Sequence, residues 1–256
     1  MQLSFNKKLA RGYKNASQRA RVLTEQWVHD FVFCPNCGYL QLDKYPNNYP
    51  VADFFCSSCK EDYELKSKNG VVGKKILDGA YHTKCKRLKS NTIPNLFVLN
   101  YDMQSYSVFN FFIIPKHFFT MDIIEKRKPL AKTARRPGWV GSNILLHQIP
   151  FSGRIFLVQQ GEVKSRAGVL TEWNKTLFLR EERKIYAKGW LLDIMRCIDK
   201  MGKSEFTLND IYKFENKLSV LYPNNKHIRD KIRQQLQILR NKGYLDFISR
   251  GYYRMA

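Results

Sequence analysis

Acidic residues are scarce in this chain: 22 aspartates and glutamates face 44 lysines and arginines, which leaves a net charge of +22 and a pI near 9.8. A field of that sign favours a polyanion, and nucleic acid is the usual one, with a membrane surface the lesser option. Long apolar runs are missing too. No segment approaches the length of a spanning helix, and the N-terminus MQLSFNKKLARGYK has no apolar signal core, so the expectation is a cytoplasmic protein with no membrane partner. Apolar residues as such are plentiful, at 44% hydrophobic and 14% aromatic over 256 residues. That supports real cores in one large domain, or in one medium and one small, and excludes global disorder.

Cysteine is sparse and its placement is telling. Four of the six form Cys34-x-x-Cys37, then eighteen residues, then Cys56-x-x-Cys59, the spacing of a zinc ribbon. The small and turn-forming residues of CPNCG and CSSCK let backbone amides approach the thiolates. Without a secretion signal, two disulfides are the poorer reading. Cys85 and Cys197 read as ordinary core or half-buried residues.

The stretch from Pro50 to Lys68 holds Asp53 and, after ten residues, Glu64-Leu65-Lys66, with the second cysteine knuckle between them. VADFF has the β-branched and aromatic character of a strand and DYELKS alternates as its partner, with the knuckle at the turn. Residues two apart on a strand share a face, which sets Glu64 beside Lys66 while Asp53 arrives from the neighbouring strand. Two carboxylates and the Leu65 carbonyl are hard oxygen ligands for one or two Mg²⁺ ions. Lys66 then has three candidate tasks: orienting a water, deprotonating it, or stabilising charge on phosphorus. Alone, Asp followed by Glu-x-Lys is a weak motif, and its plainer reading is a solvated hairpin face.

Residues 13 to 33 place Ala20, Leu23, Trp27 and Phe31 at helical spacing, so a helix is expected to lie across the sheet. Glu25 on it is a surface acid or a further carboxylate for the metal region. After Lys66, a basic turn leads to ILDGAYHTKCKRLKS, expected to be helical with Ile76, Ala80 and Leu88 as its apolar side. Lys74, Lys75, Lys84, Lys86, Arg87 and Lys89 surround it, meeting phosphates or solvent. Residues 95 to 102 and 106 to 115 form a strand hairpin that completes a mixed sheet. The segment from 126 to 143 is a basic loop. Arg135 and Arg136 suit phosphates or base edges, and Trp139 either stacks on a base or anchors the loop in the core. A strand over 154 to 160 and the segment GVLTEWNKTLFLR close the first domain, expected to span 1–182.

Residues 183–256 read as a winged helix-turn-helix. WLLDIMRCIDKMG is a first helix, FTLNDIYKFENKL a short strand with a Thr207 cap and a second helix, and NNKHIRDKIRQQLQILRNKG a third. Ile228, Ile232, Leu236 and Leu239 form the stripe of that third helix, Gly243 stops it, and the last residues make a hairpin wing. Lys226, His227, Arg229, Lys231, Arg233, Gln234 and Gln235 are the exposed set suited to phosphates and purine edges in a major groove. From Arg183 onward, 16 basic against 7 acidic residues leave +9 of the charge there and +13 before it. Both domains are therefore expected to touch DNA.

The four-cysteine ribbon interleaved with Asp53, Glu64 and Lys66, the loop ARRPGW and the C-terminal HIRDKIRQQLQILRNKG and RGYYR together resemble the DpnI-type, methyl-directed restriction endonucleases. The likeness runs over nearly the whole chain, departing at residues 39 to 49, 101 to 107 and 162 to 182. Pro50 also sits three residues ahead of Asp53. The resemblance implies an α/β PD-(D/E)xK nuclease core with a mixed central sheet and embedded zinc ribbon, followed by a winged helix. It implies a monomeric type II enzyme that needs Mg²⁺ and cuts double-stranded DNA at adenine-methylated GATC, leaving 5′-phosphates. Carried over by motif, Asp53, Glu64 and Lys66 are catalytic and Cys34, Cys37, Cys56 and Cys59 hold Zn²⁺. Trp139, Arg135 and Arg136 become candidates for DNA or methyl contact. A repair or recombination nuclease of the same fold, and a zinc-ribbon transcription regulator without nuclease activity, are the alternatives.

Overall fold

The computed structural model describes residues 1–47, 49–50, 52–182 and 185–256. Asn48 of the expected ribbon loop, Val51 at the head of the expected VADFF strand, and Arg183 and Lys184 at the expected domain boundary lie outside the described residues. The chain divides into two compact units, Met1–His147 with Ser152–Asn174, and Gln148–Phe151 with Lys175–Ala256. Lys175–Glu182 thus go with the second unit, ahead of the charge shift at residue 183. No helix among the described residues is long and apolar enough to cross a membrane.

The first unit opens with α1 (Ala16–Phe31), whose first turn is closed by the Asn15 side chain accepting from the amides of Ser17 and Gln18. Then come β1 (Asp43–Lys44), β2 (Phe54–Phe55), β3 (Asp62–Asn69), β4 (Ile76–Ala80), α2 (Tyr81–Lys89), β5 (Asn95–Asp102), β6 (Ser107–Ile114), β7 (Ile124–Lys126), β8 (Gly141–Ile144), β9 (Ile155–Gln159), β10 (Glu162–Val163) and α3 (Arg166–Asn174). Seven strands make one sheet in the order β1-β2-β3-β5-β6-β9-β10. The β3–β5 pair is parallel and its neighbours are antiparallel, so the sheet is mixed. A parallel pair needs a crossover, and β4 with α2 supplies it. β5 is buried along its length except at Asp102, as a central strand covered on both faces must be. Leu23, Trp27 and Val28 of α1 are buried, with the Trp27 ring edge-on to Phe111 of β6 at 5.3 Å and its indole N–H donating to the Gln2 carbonyl at 2.7 Å.

The run beginning ILDGA corrects the helical expectation. It is β4, buried at Ile76 and Asp78 in strand alternation, and the helix starts only at Tyr81. The pairing that decides this comes from far along the chain, because β4 joins β8 in a second, antiparallel sheet of order β4-β8-β7. The expected basic loop is likewise more regular than its composition suggests. The β7–β8 hairpin continues past its strands through Arg127 N–H to the Gly141 carbonyl at 3.0 Å, Leu130 N–H to the Trp139 carbonyl at 2.9 Å and Gly138 N–H to the Leu130 carbonyl at 3.0 Å. Arg135 and Arg136 lie exposed at the tip of this arm.

The second unit contains α4 (Phe178–Glu181), α5 (Ile185–Met201), β11 (Glu205–Thr207), α6 (Leu208–Tyr212), α7 (Glu215–Leu221), α8 (Ile228–Asn241), β12 (Leu245–Ser249) and β13 (Tyr252–Met255). A small sheet of order β11-β13-β12 includes the hairpin wing. Thr207 caps α6 reciprocally, its hydroxyl accepting from Asp210 N–H while the Asp210 carboxylate accepts from Thr207 N–H. The expected single second helix is broken at Phe214, where φ −91° and ψ 2° separate α6 from α7. Ile228, Ile232, Leu236 and Leu239 of α8 are buried as their spacing requires. Gln235, expected among the exposed groups, is buried instead. It lies next to Leu236, and α8 packs against α5, α6, α7 and β12, which widens its covered arc.

Candidate active site and metal centre

The two cysteine knuckles are built alike. In the first, Gly38 N–H donates to the Cys34 carbonyl at 2.8 Å, and in the second Lys60 N–H donates to the Cys56 carbonyl at 2.9 Å. Both donors sit at positive φ, Gly38 at 78° and Lys60 at 60°, so each chain reverses sharply behind its second cysteine. Cys34 Sγ comes within 3.5 Å of Cys59 Sγ, and Cys37 Sγ within 3.7 Å of Cys56 Sγ. All four sulfurs gather within 4.8 Å, and among the described residues this is the one set of three or more Cys, His, Asp or Glu that does so. Four soft thiolates at that spacing suit a tetrahedral metal ion. Tyr63, the second residue of β3, closes the cluster from inside: its hydroxyl meets Cys34 Sγ at 3.0 Å and its ring stacks on Phe97 at 4.8 Å.

The same strand carries the acidic centre. Asp53 lies just ahead of the short β2, narrower than the expected five-residue strand, and its N–H donates to the Tyr63 carbonyl at 2.9 Å. Its carboxylate accepts from Leu65 N–H at 2.7 Å. Because the N–H and C=O of one strand residue point to the same side, Tyr63 and Leu65 both turn their carbonyls towards Asp53, away from β5. The hard donors named from sequence, Asp53 and the Leu65 carbonyl, therefore share one edge of β3, with Glu64 next to them in the chain. Burial raises the Asp53 carboxyl above its usual value; the Leu65 amide opposes this and the Glu64 charge adds to it. Such a carboxylate gains by ligating a cation, and the donor set fits a hard divalent ion.

Glu25 belongs to this neighbourhood rather than to open surface. Its carboxyl is raised by burial, lowered by Arg21 at 3.8 Å and raised again by Asp53. It lines a groove of about 420 Å³ between α1 and β3, together with Thr24, Leu65 and Ser67. Glu64 and Lys66 are paired at 2.7 Å, as their spacing requires.

Two further residues complete the centre: Asp78, which sequence reasoning missed, and Lys84, which it placed on the surface. Asp78 of β4 has a fully buried carboxylate, 3.0 Å from Lys66 Nζ and 2.9 Å from Lys84 Nζ. Lys84 of α2, expected on a solvated or phosphate-facing surface, is buried, with its ammonium also 2.7 Å from Glu64. Burial alone would push Lys66 down, but Glu64 and Asp78 outweigh it and hold the ammonium well above the ordinary lysine range. Burial likewise opposes the ionised Asp78, and Lys84 and Lys66 outweigh it, so its carboxyl stays below the usual value. Strand alternation through Ile76 and Asp78 was the available signal; it was hidden by an apolar spacing that fits a helix equally well.

Trp139 is half-buried. Two of its ring atoms lie 2.8 and 2.9 Å from where a β-carbon on Gly141 would stand, so the ring rests directly on a bare backbone. It thus anchors the arm while keeping part of the indole in solvent. In the second unit, Lys226, His227, Arg229, Arg233 and Gln234 are exposed on or just ahead of α8, and Lys231 is half-buried. Several are held by neighbours: Arg229 reaches Glu215 at 2.7 Å and lies over the Tyr212 ring, Arg233 pairs with Asp230, and Lys231 donates to Gln234 at 2.7 Å.

Comparison with known families accounts for both units. Residues 1–182 match the DpnI family, described as the Dam-replacing family, and residues 186–255 match the DpnI C-terminal, Dam-replacing HTH domain. With the two matches together spanning nearly the whole sequence, the chain belongs to the DpnI, or Dam-replacing, family of modification-dependent restriction endonucleases.

Proposed function

We propose that the protein is a type II, Mg²⁺-dependent endonuclease of the PD-(D/E)xK kind that hydrolyses double-stranded DNA at adenine-methylated GATC. The observation that carries this reading is the convergence of Asp53, Glu64 and the Leu65 carbonyl edge beside a buried, charged Lys66. Asp53, Glu64 and the Leu65 carbonyl would hold the cation. When bound there, it polarises a phosphoryl oxygen and lowers the pKa of a bound water. Lys66 is kept protonated by Glu64 and Asp78, which favours two of its three candidate tasks, orienting the water and stabilising charge on phosphorus, over taking a proton. Attack on phosphorus with loss of the 3′ oxygen leaves a 5′-phosphate and a 3′-hydroxyl.

Cys34, Cys37, Cys56 and Cys59 hold a structural Zn²⁺ in this reading, supported by their gathered sulfurs. The exposed Arg135 and Arg136 and the half-exposed Trp139 meet DNA from the first unit; Lys226, His227, Arg229, Lys231, Arg233 and Gln234 meet it from the second. The indole face suits a small apolar methyl group. The GATC sequence and the monomeric state rest on the family resemblance, a cytoplasmic location on cysteine usage that agrees with a reducing compartment, and the catalytic domain is taken as 1–182 with the winged helix as 183–256.

One plasmid in adenine-methylated and unmethylated forms, digested with Mg²⁺ and then with EDTA, tests the proposal. Discrete fragments from the methylated form alone, abolished by EDTA and by Asp53→Ala while DNA binding persists, are expected. Binding of both forms without any cutting would instead make the protein a DNA-binding regulator.

A further inference from the structure

Glu64 and Asp78 alternate with Lys66 and Lys84 around a square of charge, and the chemistry above uses only the two edges that meet at Lys66. Every side of the square is short: 2.7 Å from Glu64 to each lysine, 3.0 Å from Asp78 to Lys66 and 2.9 Å from Asp78 to Lys84. The four residues come from three elements, β3, β4 and α2, in two different sheets and a helix. Glu64 spends one carboxylate oxygen on Lys66 and the other on Lys84. A carboxylate in that position has to give up an ammonium before it can ligate a cation. The displaced ammonium then needs another anion, since an unpaired charge at a buried site is costly.

Asp78 is placed to be that anion. Its side chain has no solvent exposure, so neither water nor salt substitutes for it. Its strand is fixed on the far side by β8, where Asp78 stands opposite Ser142 and the Ser142 hydroxyl donates to the Gly79 carbonyl at 3.0 Å. The carboxylate therefore cannot follow Glu64 when Glu64 turns. We propose that Asp78 is a positioning residue of the cleavage reaction, holding Lys66 at the scissile phosphate when Glu64 turns to the divalent cation, with Lys84 as the second cation that balances the buried pair of carboxylates. The inference rests on the reading of Glu64 and Lys66 as catalytic. A purely structural ion network would serve stability alone, and buried networks of that sort are often replaceable without loss.

The test uses the full-length protein and four variants. Asp78→Asn should lower kcat by about 100-fold with KM for methylated duplex DNA within about threefold, because the lysine is misplaced while the DNA surface is intact. It should also weaken Ca²⁺ binding, measured by calorimetry without DNA, by about tenfold, since both lysines then cling to Glu64. Lys84→Gln, which leaves the Asp78–Lys66 pair but strips one cation from Glu64, should lower kcat by about tenfold, well short of the Asp78→Asn loss. The double variant Asp78→Asn/Lys84→Gln restores the charge balance, so its Tm should recover towards wild type while kcat stays as low as in Asp78→Asn. Recovery of kcat along with Tm would overturn the proposal and leave Asp78 a structural counterion. A loss in Lys84→Gln as large as in Asp78→Asn would overturn it as well. Lys66→Ala separates this failure from that of the underlying reading: a Lys66→Ala enzyme that still cuts sinks the catalytic assignment itself, whereas an inactive one beside a recovered double variant sinks only the role of Asp78.

Discussion

Gly141→Ala is a small change that should reach far into specificity. The added β-carbon would stand 2.8 and 2.9 Å from two carbons of the Trp139 ring. Carbon pairs rest at about 3.5–4.0 Å, so the indole must retreat by roughly 1 Å or swing away from its perch. The backbone itself does not object, because Gly141 lies outside the left-handed region and alanine adopts its conformation freely. Overpacking of this kind costs about 1–3 kcal/mol, and one methyl group in an apolar contact is worth a similar amount, about 10–200-fold in kcat/KM. If Trp139 reads the methyl group, Gly141→Ala should lower the ratio of kcat/KM on methylated over unmethylated duplex by at least about tenfold. Trp139→Ala measured beside it should show a loss of the same kind, greater in discrimination than in overall affinity. A folded Gly141→Ala enzyme with an unchanged ratio would refute the argument, and equal losses on both duplexes would assign the indole to the scaffold.

Removal of the metal from the four cysteines, by a chelator or by Cys56→Ser, should abolish cooperative unfolding of the first unit, read by near-ultraviolet circular dichroism. Structural zinc contributes about 10–16 kcal/mol in small domains, as much as the whole stability of a typical protein, and a well-folded zinc-free protein would contradict the assignment. Asp53→Asn should raise Tm at neutral pH when no divalent ion is present. The folded-state carboxyl is held above its usual value, chiefly by burial, so ionised Asp53 subtracts from stability above that raised pKa and stops doing so as the pH falls through it. The gain of the variant should therefore shrink on acidification, and no gain at neutral pH would count against the burial argument. Lys226→Ala in the full chain should reduce the salt dependence of DNA binding, lowering the slope of log K against log salt by about one unit; an unchanged slope would remove Lys226 from the interface.

What could be read in the sequence was whatever is written in short range. The spacing of Ala20, Leu23, Trp27 and Phe31 announces α1, paired cysteines announce the knuckles, and the stripe from Ile228 to Leu239 announces α8. Glu64 and Lys66 are legible because two residues on one strand need only the strand to be neighbours. Asp78 was not, since its burial is created by β8 arriving from more than sixty positions downstream and by lysines on two other elements. Ile76 and Ala80 are as well spaced for a helix as for a strand, and only the partner strand decides between them. Gln235 fails for a related reason: periodicity gives the centre of a buried stripe, and the number of elements packed around a helix gives its width.

Tyr63 and Glu64 are consecutive on β3, one turned towards the sulfur cluster and the other towards the lysines. Side chains on a strand have only two choices of face, so a shift of one position exchanges them completely. The knuckles decide where β3 begins, and in doing so they act as a register lock: with the sulfurs drawn together, a carboxylate faces the lysines, and with the lock open a phenol can take its place. Loss of the metal should therefore divide the molecules into competent and incompetent populations rather than slow every molecule alike. Active-site titration after partial demetallation would then count fewer working enzymes, each turning over at the full rate.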